Sequence, residues 1–328
     1  MKGIKSMDKQ KLHDIYEAIL AYDTIILMAH KRPDGDAAGS TFGMKDILKT
    51  TWPEKHIHVV GETSDFTSFI GVPEELDDEV FEGALCIALD TGNAARLGDE
   101  RHALCDKLIK IDHHIPVDEY GDIQYVDTKR PAAALIVLDF FQTFQDTLKM
   151  TKEGAKALYF GTLTDTGRFK YDGVDGDTFR SVALLFDNGL DKREVHDHLD
   201  QRSEELTRFR GYLLQHYKKT KHGVVYFKIK PRHLRRFNVT LEEASSLVNE
   251  MGVFQDHPIW LLFAEYEERI VRCRMRSKGP AINELAAKYD GGGHKFASGA
   301  NLGTWKRANQ LIQDADELAR QYKQGLLE

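Results

Sequence analysis

A chain of 328 residues is long for one domain, and a composition 41% hydrophobic and 30% charged is that of a globular protein, with two domains the natural division. A formal net charge of −7 disfavours a protein that coats long nucleic acid by bulk electrostatics. No run of about 18 apolar residues is present to span a membrane, and the opening MKGIKSMDKQKLHDIYEAIL lacks the apolar core and cleavage site of a secretory signal. Cys86, Cys105 and Cys273 form no CxxC pair, which argues against a disulfide framework or structural zinc and fits a reducing cytoplasm.

In chain order, apolar runs predict strands at 24–30 (TIILMAH), 56–60 (HIHVV), 84–90 (ALCIALD), 108–112 (LIKID) and 123–126 (IQYV). Helical patterns follow Asp36 and cover 132–144, 152–163 and 178–189, the last closing on Asn-Gly. Such alternation indicates a parallel sheet covered on both faces. A charged helical stretch over 191–219 reads as a connector. Strands at 223–230, 258–266 and 269–277, with helices at 240–250, 280–289 and 304–324, then predict a second, smaller sheet. The fold class is α/β: an N-terminal parallel-sheet domain over residues 1–190, a helical linker over 191–221 and a smaller α/β domain over 222–328.

Three of the N-terminal strands end in ligand-type residues, His30, Asp90 and Asp112, and open parallel sheets bind ligands outside their carboxyl ends. The first continues as AHKRPDGDAAGS, with His30, Asp34 and Asp36 on a Pro-Asp-Gly turn before a helix. Helix capping explains one aspartate but not His30 as well. The second runs ALDTGNAARLGD, where Arg96 reads by itself as a surface arginine, but beside a metal-bound carboxylate it suits a phosphate. The fourth strand runs directly into Asp112, His113 and His114, an unusual way to leave a sheet. Asp165, in the apolar helical stretch LTDTGRFKY, needs a partner such as a cation. The candidate ligands are therefore His30, Asp34, Asp36, Asp90, His113 and Asp165, with Asp112 and His114 close behind. Oxygen and imidazole donors without thiolate suit Mn²⁺ or Mg²⁺, and affinity order also admits Zn²⁺ or Co²⁺. So many carboxylates suit two cations bridged by a shared aspartate. His56, His58, His196 and His198 lie near no second ligand motif and read as structural or solvated.

In the C-terminal half, period two places Arg272, Arg274, Arg276 and Lys278 on one strand face. The strand runs into Ser277, and farther on DGGGHKFASG sets Gly292 and Gly293 beside His294 in a glycine-rich turn open to close approach. Taken alone, a basic strand face is often a solvated edge. Joined to a metal-binding domain, it reads as a phosphate or nucleotide platform.

These motifs together resemble the DHH–DHHA1 phosphoesterase family, in its bifunctional oligoribonuclease and PAP phosphatase branch. HKRPDGDAAGS, ALDTG, DHH and TDTGRF carry the DHH part; RSKGPAIN and GGGH carry the DHHA1 part. The resemblance implies two divalent cations, Mn²⁺ foremost with Mg²⁺ and Co²⁺ compatible: one on His30, Asp34 and Asp90, the second on Asp36, Asp90, His113 and Asp165. It implies that Asp112 orients His113, that His114 contacts the scissile phosphate with Arg96 nearby, and that Arg274, Arg276, Ser277, Gly292, Gly293 and His294 hold the substrate. Where relatives have a Ser/Thr-rich helix opening, this chain has RPAAAL at 130–135, so no hydroxyl contact is carried over. The implied activity is cytoplasmic hydrolysis of very short single-stranded RNA, linear dinucleotides such as pApA, and 3′-phosphoadenosine 5′-phosphate (PAP). No membrane or long duplex is implied, and a homodimer is compatible. A pyrophosphatase or polyphosphatase, and a nucleotide-binding regulator without turnover, are the rival readings.

Overall fold

The five apolar runs of the N-terminal half pair in parallel, each with its neighbour in register. In the computed structural model, which describes residues 9–266 and 270–327, the chain divides after Asp200 into two units. Residues 1–8, 267–269 and 328, including the start of the opening segment and the first residue of the strand expected at 269–277, lie outside the described residues.

In the first unit the strands are β1 (Thr24–Met28), β2 (His56–Val59), β3 (Leu85–Leu89), β4 (Lys107–Asp112) and β5 (Ile123–Val126), in the order β2-β1-β3-β4-β5. Strand alternation sends Leu27, Ile87 and Ile109 to one face and Ile26, Cys86 and Ala88 to the other, and both faces are buried. The first face packs against α1 (Lys9–Ala21), α2 (Gly35–Thr51), α3 (Ala133–Thr143) and α4 (Lys152–Asp165). Segments that include Phe81 and Leu97 cover the other. The strand order reverses between β1 and β3, the switch point where such sheets open a crevice. His30 follows one of those strands and Asp90 the other.

The packing of α2 on α4 sets the depth of that crevice. Gly35, Gly39 and Gly43 recur every fourth residue and form one stripe on α2. A Cβ on Gly39 would lie 2.5 Å from the Ala157 carbonyl oxygen and 2.7 Å from the Gly161 nitrogen, so the two backbones touch there. This contact brings the start of α2, with Asp36, close to the end of α4, with Asp165.

The charged stretch expected as one connector is two helices, α6 (Lys192–Asp200) after α5 (Gly176–Asp187) in the first unit and α7 (Glu204–His216) in the second. The second sheet runs β10-β11-β9-β8-β7-β6, built from β6 (Lys218–Lys219), β7 (Val224–Ile229), β8 (Ile259–Glu265), β9 (Val271–Ser277), β10 (Gly291–His294) and β11 (Ala297–Gly303). One face packs on α10 (Asn283–Ala287) and α11 (Trp305–Lys323), the other on α7, α8 (Pro231–Phe237) and α9 (Leu241–Ser246).

Here the structure departs from the pattern read above. Gly291–His294 is an antiparallel strand rather than a turn, and its partner β11 was not expected. Cβ atoms on Gly291 and Gly293 would come within 2.1 and 2.7 Å of β11 carbonyl oxygens, so these glycines serve strand pairing that a larger residue would block. The helix expected at 280–289 shortens to Asn283–Ala287, and that at 240–250 turns to 3₁₀ after Ser246.

The same substitution should act with opposite sign at two helical glycines. Gly39→Ala should destabilise the first unit by about 1–3 kcal/mol through backbone overlap with α4. Gly211→Ala, whose Cβ would meet nothing within 4 Å, should stabilise α7 by about 0.5–1 kcal/mol. Urea unfolding followed by circular dichroism measures both.

Candidate metal centre

Each candidate ligand leaves the sheet by a different local device. His30 is tied down just after β1: Lys31 N–H donates to the Arg96 carbonyl at 2.7 Å and Gly98 N–H to the Ala29 carbonyl at 2.8 Å. Asp34 is the N-cap of α2, its Oδ1 accepting from the Asp36 and Ala37 N–H groups at 3.0 and 3.1 Å. Its Oδ2 stays exposed, 3.8 Å from His30 Nε2. Capping therefore engages one oxygen and leaves the other aimed at the histidine.

Asp36 is fully buried and accepts from Ala133 N–H at 2.5 Å and Ala134 N–H at 2.9 Å, so it caps α3 from a different helix. The RPAAAL opening has no hydroxyls for that role, and a carboxylate fills it. Asp90 leaves β3 with φ +51°, a left-handed conformation that aspartate tolerates better than most residues. Its Oδ2 lies 3.8 Å from His30 Nε2 and its Oδ1 3.3 Å from His113 Nε2, so the two oxygens face two different groups.

His113 Nδ1 donates to the Arg130 carbonyl at 3.2 Å, which turns Nε2 inward. There Nε2 meets Asp165 Oδ2 at 3.2 Å, Asp90 Oδ1 at 3.3 Å and Asp36 Oδ2 at 3.9 Å. Arg130 is itself anchored by a buried ion pair to Asp139 on α3. Among the described residues, three sets place potential ligand atoms within 4.8 Å of one another: His30–Asp34–Asp90, Asp36–His113–Asp165 and Asp90–His113–His114.

The electrostatics ask for added positive charge. Burial pushes Asp90 up to about 6, against the pull of His113. Burial, Asp90 and Asp165 together push Asp36 well above the carboxylate range. Burial lowers His113, but Asp165 and Asp90 outweigh it and carry the imidazole up to about 11. Asp90 Oδ1 and His113 Nε2 are buried without a hydrogen-bond partner. Hard oxygen and imidazole donors, crowded and unsatisfied, fit divalent cations.

Asp112 does not hold the His113 ring. Alternation along the chain turns that ring away, and Asp112 Oδ1 accepts instead from His114 Nδ1 at 2.8 Å and from the His113 and His114 backbone N–H groups at 2.9 and 3.2 Å. Burial raises Asp112, but the hydrogen bonds from His114, with the charges of His114 and Lys110, together outweigh it and hold the carboxyl below the usual range. Through the same bond Asp112 raises His114, whose ring is part-exposed.

Lys110 was missed in the sequence. It is fully buried on β4, with its Nζ 3.1 Å from the Gly92 carbonyl, 3.7 Å from Asp112 Oδ2 and 4.4 Å from the centre of the Tyr120 ring. The signal was a lysine inside the apolar run LIKID, two residues before Asp112 and so on the same strand face. Arg96 Nη2 lies 3.2 Å from His30 Nδ1, yet that nitrogen also faces the Lys31 carbonyl at 3.0 Å. A carbonyl only accepts, so bonding to Lys31 puts the proton on Nδ1, leaves Nε2 for the Asp34 and Asp90 side, and frees the guanidinium. His58 pairs with Glu74 at 2.7 Å, His196 bonds the Tyr159 hydroxyl at 3.1 Å, and His198 stacks on Phe69; all stand apart from the three sets.

In the second unit, β9 exposes Arg272 and Arg274 and buries Val271, Cys273 and Met275, with Arg276 half-buried. Lys278 lies past the end of the strand and donates to the Gly252 carbonyl at 3.0 Å. The Ser277 hydroxyl donates to the Pro280 carbonyl at 2.6 Å and accepts from Gly279 N–H at 3.0 Å, holding the turn that follows. β9 pairs with β11, setting Arg276 opposite Ala297, and Ala297 opposite His294 on β10. His294 is exposed, and a Cβ on Gly292 would meet nothing within 4 Å.

Comparison with known proteins adds an independent line. Residues 24–162 match the family model described as DHH family, N-terminal domain, and residues 221–321 match the DHHA1 domain. The bifunctional oligoribonuclease and PAP phosphatase NrnA of Bacillus subtilis (strain 168) is 36% identical, covering 94% of this chain and 99% of that protein. The probable enzyme of the same name from Streptococcus mutans is 35% identical, covering 93% and 98%. An exopolyphosphatase-related protein from Bacteroides fragilis shares the fold with a TM-score of 0.85 at 23% identity, covering 97% of this chain and 100% of that one.

The Lys110–Asp112 pair allows a direct test. Asp112→Asn leaves a buried ammonium without its carboxylate and should cost about 3–5 kcal/mol at neutral pH. Adding Lys110→Met should recover a large part of that loss. Because the folded Asp112 value is depressed, its contribution is complete above about pH 4 and fades as pH falls through the folded value. Urea unfolding of the wild type and Asp112→Asn, each with and without Lys110→Met, measures the coupling, and simply additive losses would contradict it.

Proposed function

The chain belongs to the DHH family of phosphoesterases and carries the DHHA1 domain, and from that premise we propose that it degrades very short single-stranded RNA and linear dinucleotides such as pApA to mononucleotides and dephosphorylates PAP, using Mn²⁺ in the cytoplasm. It is a phosphohydrolase of the nucleotide and oligonucleotide class, with acidic and histidine groups that could hold divalent cations. No helix among the described residues is long and apolar enough to cross a membrane. The observation that carries the reading is the division of Asp90, one oxygen toward His30 and the other toward His113.

In this reading His30, Asp34 and Asp90 would hold one cation, and Asp36, Asp90, His113 and Asp165 would hold the other. A bound pair supplies charge neutralisation on a transferring phosphoryl group and lowers the pKa of water toward neutrality. The chain's own residues do the rest. The Arg130 carbonyl keeps His113 in the tautomer that offers Nε2. Asp112, flanked by Lys110, accepts from His114 Nδ1–H and favours the protonated ring, and in that imidazolium form His114 would present Nε2–H to the phosphate or leaving oxygen. Arg96, released from the His30 ring, offers its fork to phosphate oxygens. Arg274, Arg276 and His294 would hold the nucleotide and Gly292 leaves room for it, while Ser277 holds the turn after β9 and Gly293 permits the close β10–β11 pairing.

Asp90→Ala should abolish hydrolysis of every substrate and sharply reduce Mn²⁺ bound in calorimetry, whereas His114→Ala should keep the metal and lose most turnover. Full metal binding by Asp90→Ala would remove the bridging role. Rates on pApA, PAP and pyrophosphate, measured side by side in Mn²⁺, decide between nucleotide and inorganic substrates; faster pyrophosphate hydrolysis would overturn the reading. Arg276→Ala should mainly raise KM for pApA, by a phosphate contact worth about 1.5–3 kcal/mol, and affect a small chromogenic phosphodiester much less.

A further inference from the structure

The charge of −7 is unevenly spread. Residues 206–241 contain ten Lys and Arg and no Asp or Glu, leaving 35 basic against 52 acidic residues in the other 292. Arg208 pairs with Glu204, and Arg210 pairs with Glu250 at 2.7 Å. Among the described residues, the other eight cations have no carboxylate at ion-pair distance.

They lie along the β6–β7 edge of the second unit and on α8, which follows β7 and packs on the sheet face opposite Trp305. Lys218 lies on the edge strand β6, paired with Tyr226; period two places Tyr226 and Lys228 on one face of β7, and Lys230 follows as the N-cap residue of α8. α8 follows at once, with Arg232, Arg235 and Arg236 exposed. Planar rings interleave with the charges: Lys228 and Lys230 lie 5.5 and 5.7 Å from the centre of the Trp305 ring, and Arg236 lies 5.0 Å from that of Tyr212. The cations feel one another. Burial, Lys218 and Lys230 lower Lys228, while burial, Arg232, Lys230 and Arg236 lower His233, the buried histidine of α8. Like charges held together without counter-charge favour a polyanion.

We propose that this β6–β7–α8 end of the second unit binds the phosphate backbone of single-stranded RNA. It is distinct from the Arg274, Arg276 and His294 strands, because β8 separates β7 from β9, and β10 lies at the far edge of the sheet. Cations interleaved with aromatic rings are the pattern that tracks a single strand. A lipid surface is the poorer partner, since no exposed large hydrophobic residue lies between 206 and 241 to anchor in it. The choice of RNA rests on the proposed oligoribonucleotide activity; the surface itself does not. Net charge, which argued against coating long nucleic acid, averages this patch away.

Fluorescence anisotropy tests it, with labelled oligoadenylates of two and about 20 nucleotides in EDTA, which stops hydrolysis, between about 50 and 200 mM KCl. Wild type should bind the longer strand at least about tenfold more tightly. Single-strand binding changes by about 0.7 in log–log salt slope per phosphate neutralised, so Lys228→Gln/Arg232→Gln/Arg236→Gln should flatten the slope by about 2. The variant should keep its melting temperature and hydrolyse pApA in Mn²⁺ within about twofold of wild type. Arg232→Gln alone, an exposed change, should flatten the slope by about 0.7 and covers the case in which the triple variant does not fold. An unchanged slope, equal affinity for both lengths, parallel loss of pApA hydrolysis in a folded variant, or tighter binding to phosphatidylserine vesicles than to RNA would overturn the proposal. Length-dependent RNA binding without pApA hydrolysis in wild type would support the surface and count against the proposed activity instead.

Discussion

One imidazole nitrogen surrounded by carboxylates is the constraint on which the first unit depends. His113 Nε2 lies within 3.9 Å of Asp36, Asp90 and Asp165, and two of those three carboxylates are almost fully buried. Such a cluster is costly in a folded protein unless positive charge is supplied. The neighbouring structure limits the cost without removing it. Asp36 takes two backbone N–H groups from α3, and the remaining buried atoms, Asp90 Oδ1 and His113 Nε2, stay without a hydrogen-bond partner. Unsatisfied polar atoms at that depth are uncommon in native proteins and point to a function.

Holding the cluster together requires backbone geometry more than side-chain chemistry. The strand order places the ends of β1 and β3 side by side, which sets His30 near Asp90. The glycine stripe on α2 lets α4 approach to backbone contact, which sets Asp36 near Asp165. Neither device contains a ligand. Together they explain why residues 60 and 129 positions apart in the chain meet within a few ångströms.

Lys110 and Arg130 support the same arrangement from behind. Lys110 presents a buried positive charge to Asp112, whose other oxygen gathers His114 and two backbone N–H groups. Arg130 contributes through its carbonyl, which orients His113, while its side chain is locked to Asp139. Groups that fix a ligand's tautomer and ring plane matter nearly as much as the ligand itself. The DHHA1 unit uses another logic, with exposed arginines on a strand and glycines that permit close strand pairing.

Residue type and local period determined much of this protein. The five parallel strands, the alternation of arginines on β9 and the set of metal-type residues at strand ends were all legible in the sequence, because each depends on neighbours only a few positions away. The pairing of oxygens with partners was not. Asp34 and Asp36 both cap helices, but only the fold shows that Asp36 caps a helix nearly 100 residues further along. Asp112 was assigned to the wrong histidine, since ring direction follows from how the turn after β4 packs. GGGH read as a turn because its partner strand β11, rich in small residues, lacks the apolar alternation that marks a strand. Composition and spacing therefore specified which side chains could act. Tertiary packing alone decided which atoms face one another, because contact between distant segments depends on strand order and interhelical distance, and neither is encoded within a local window.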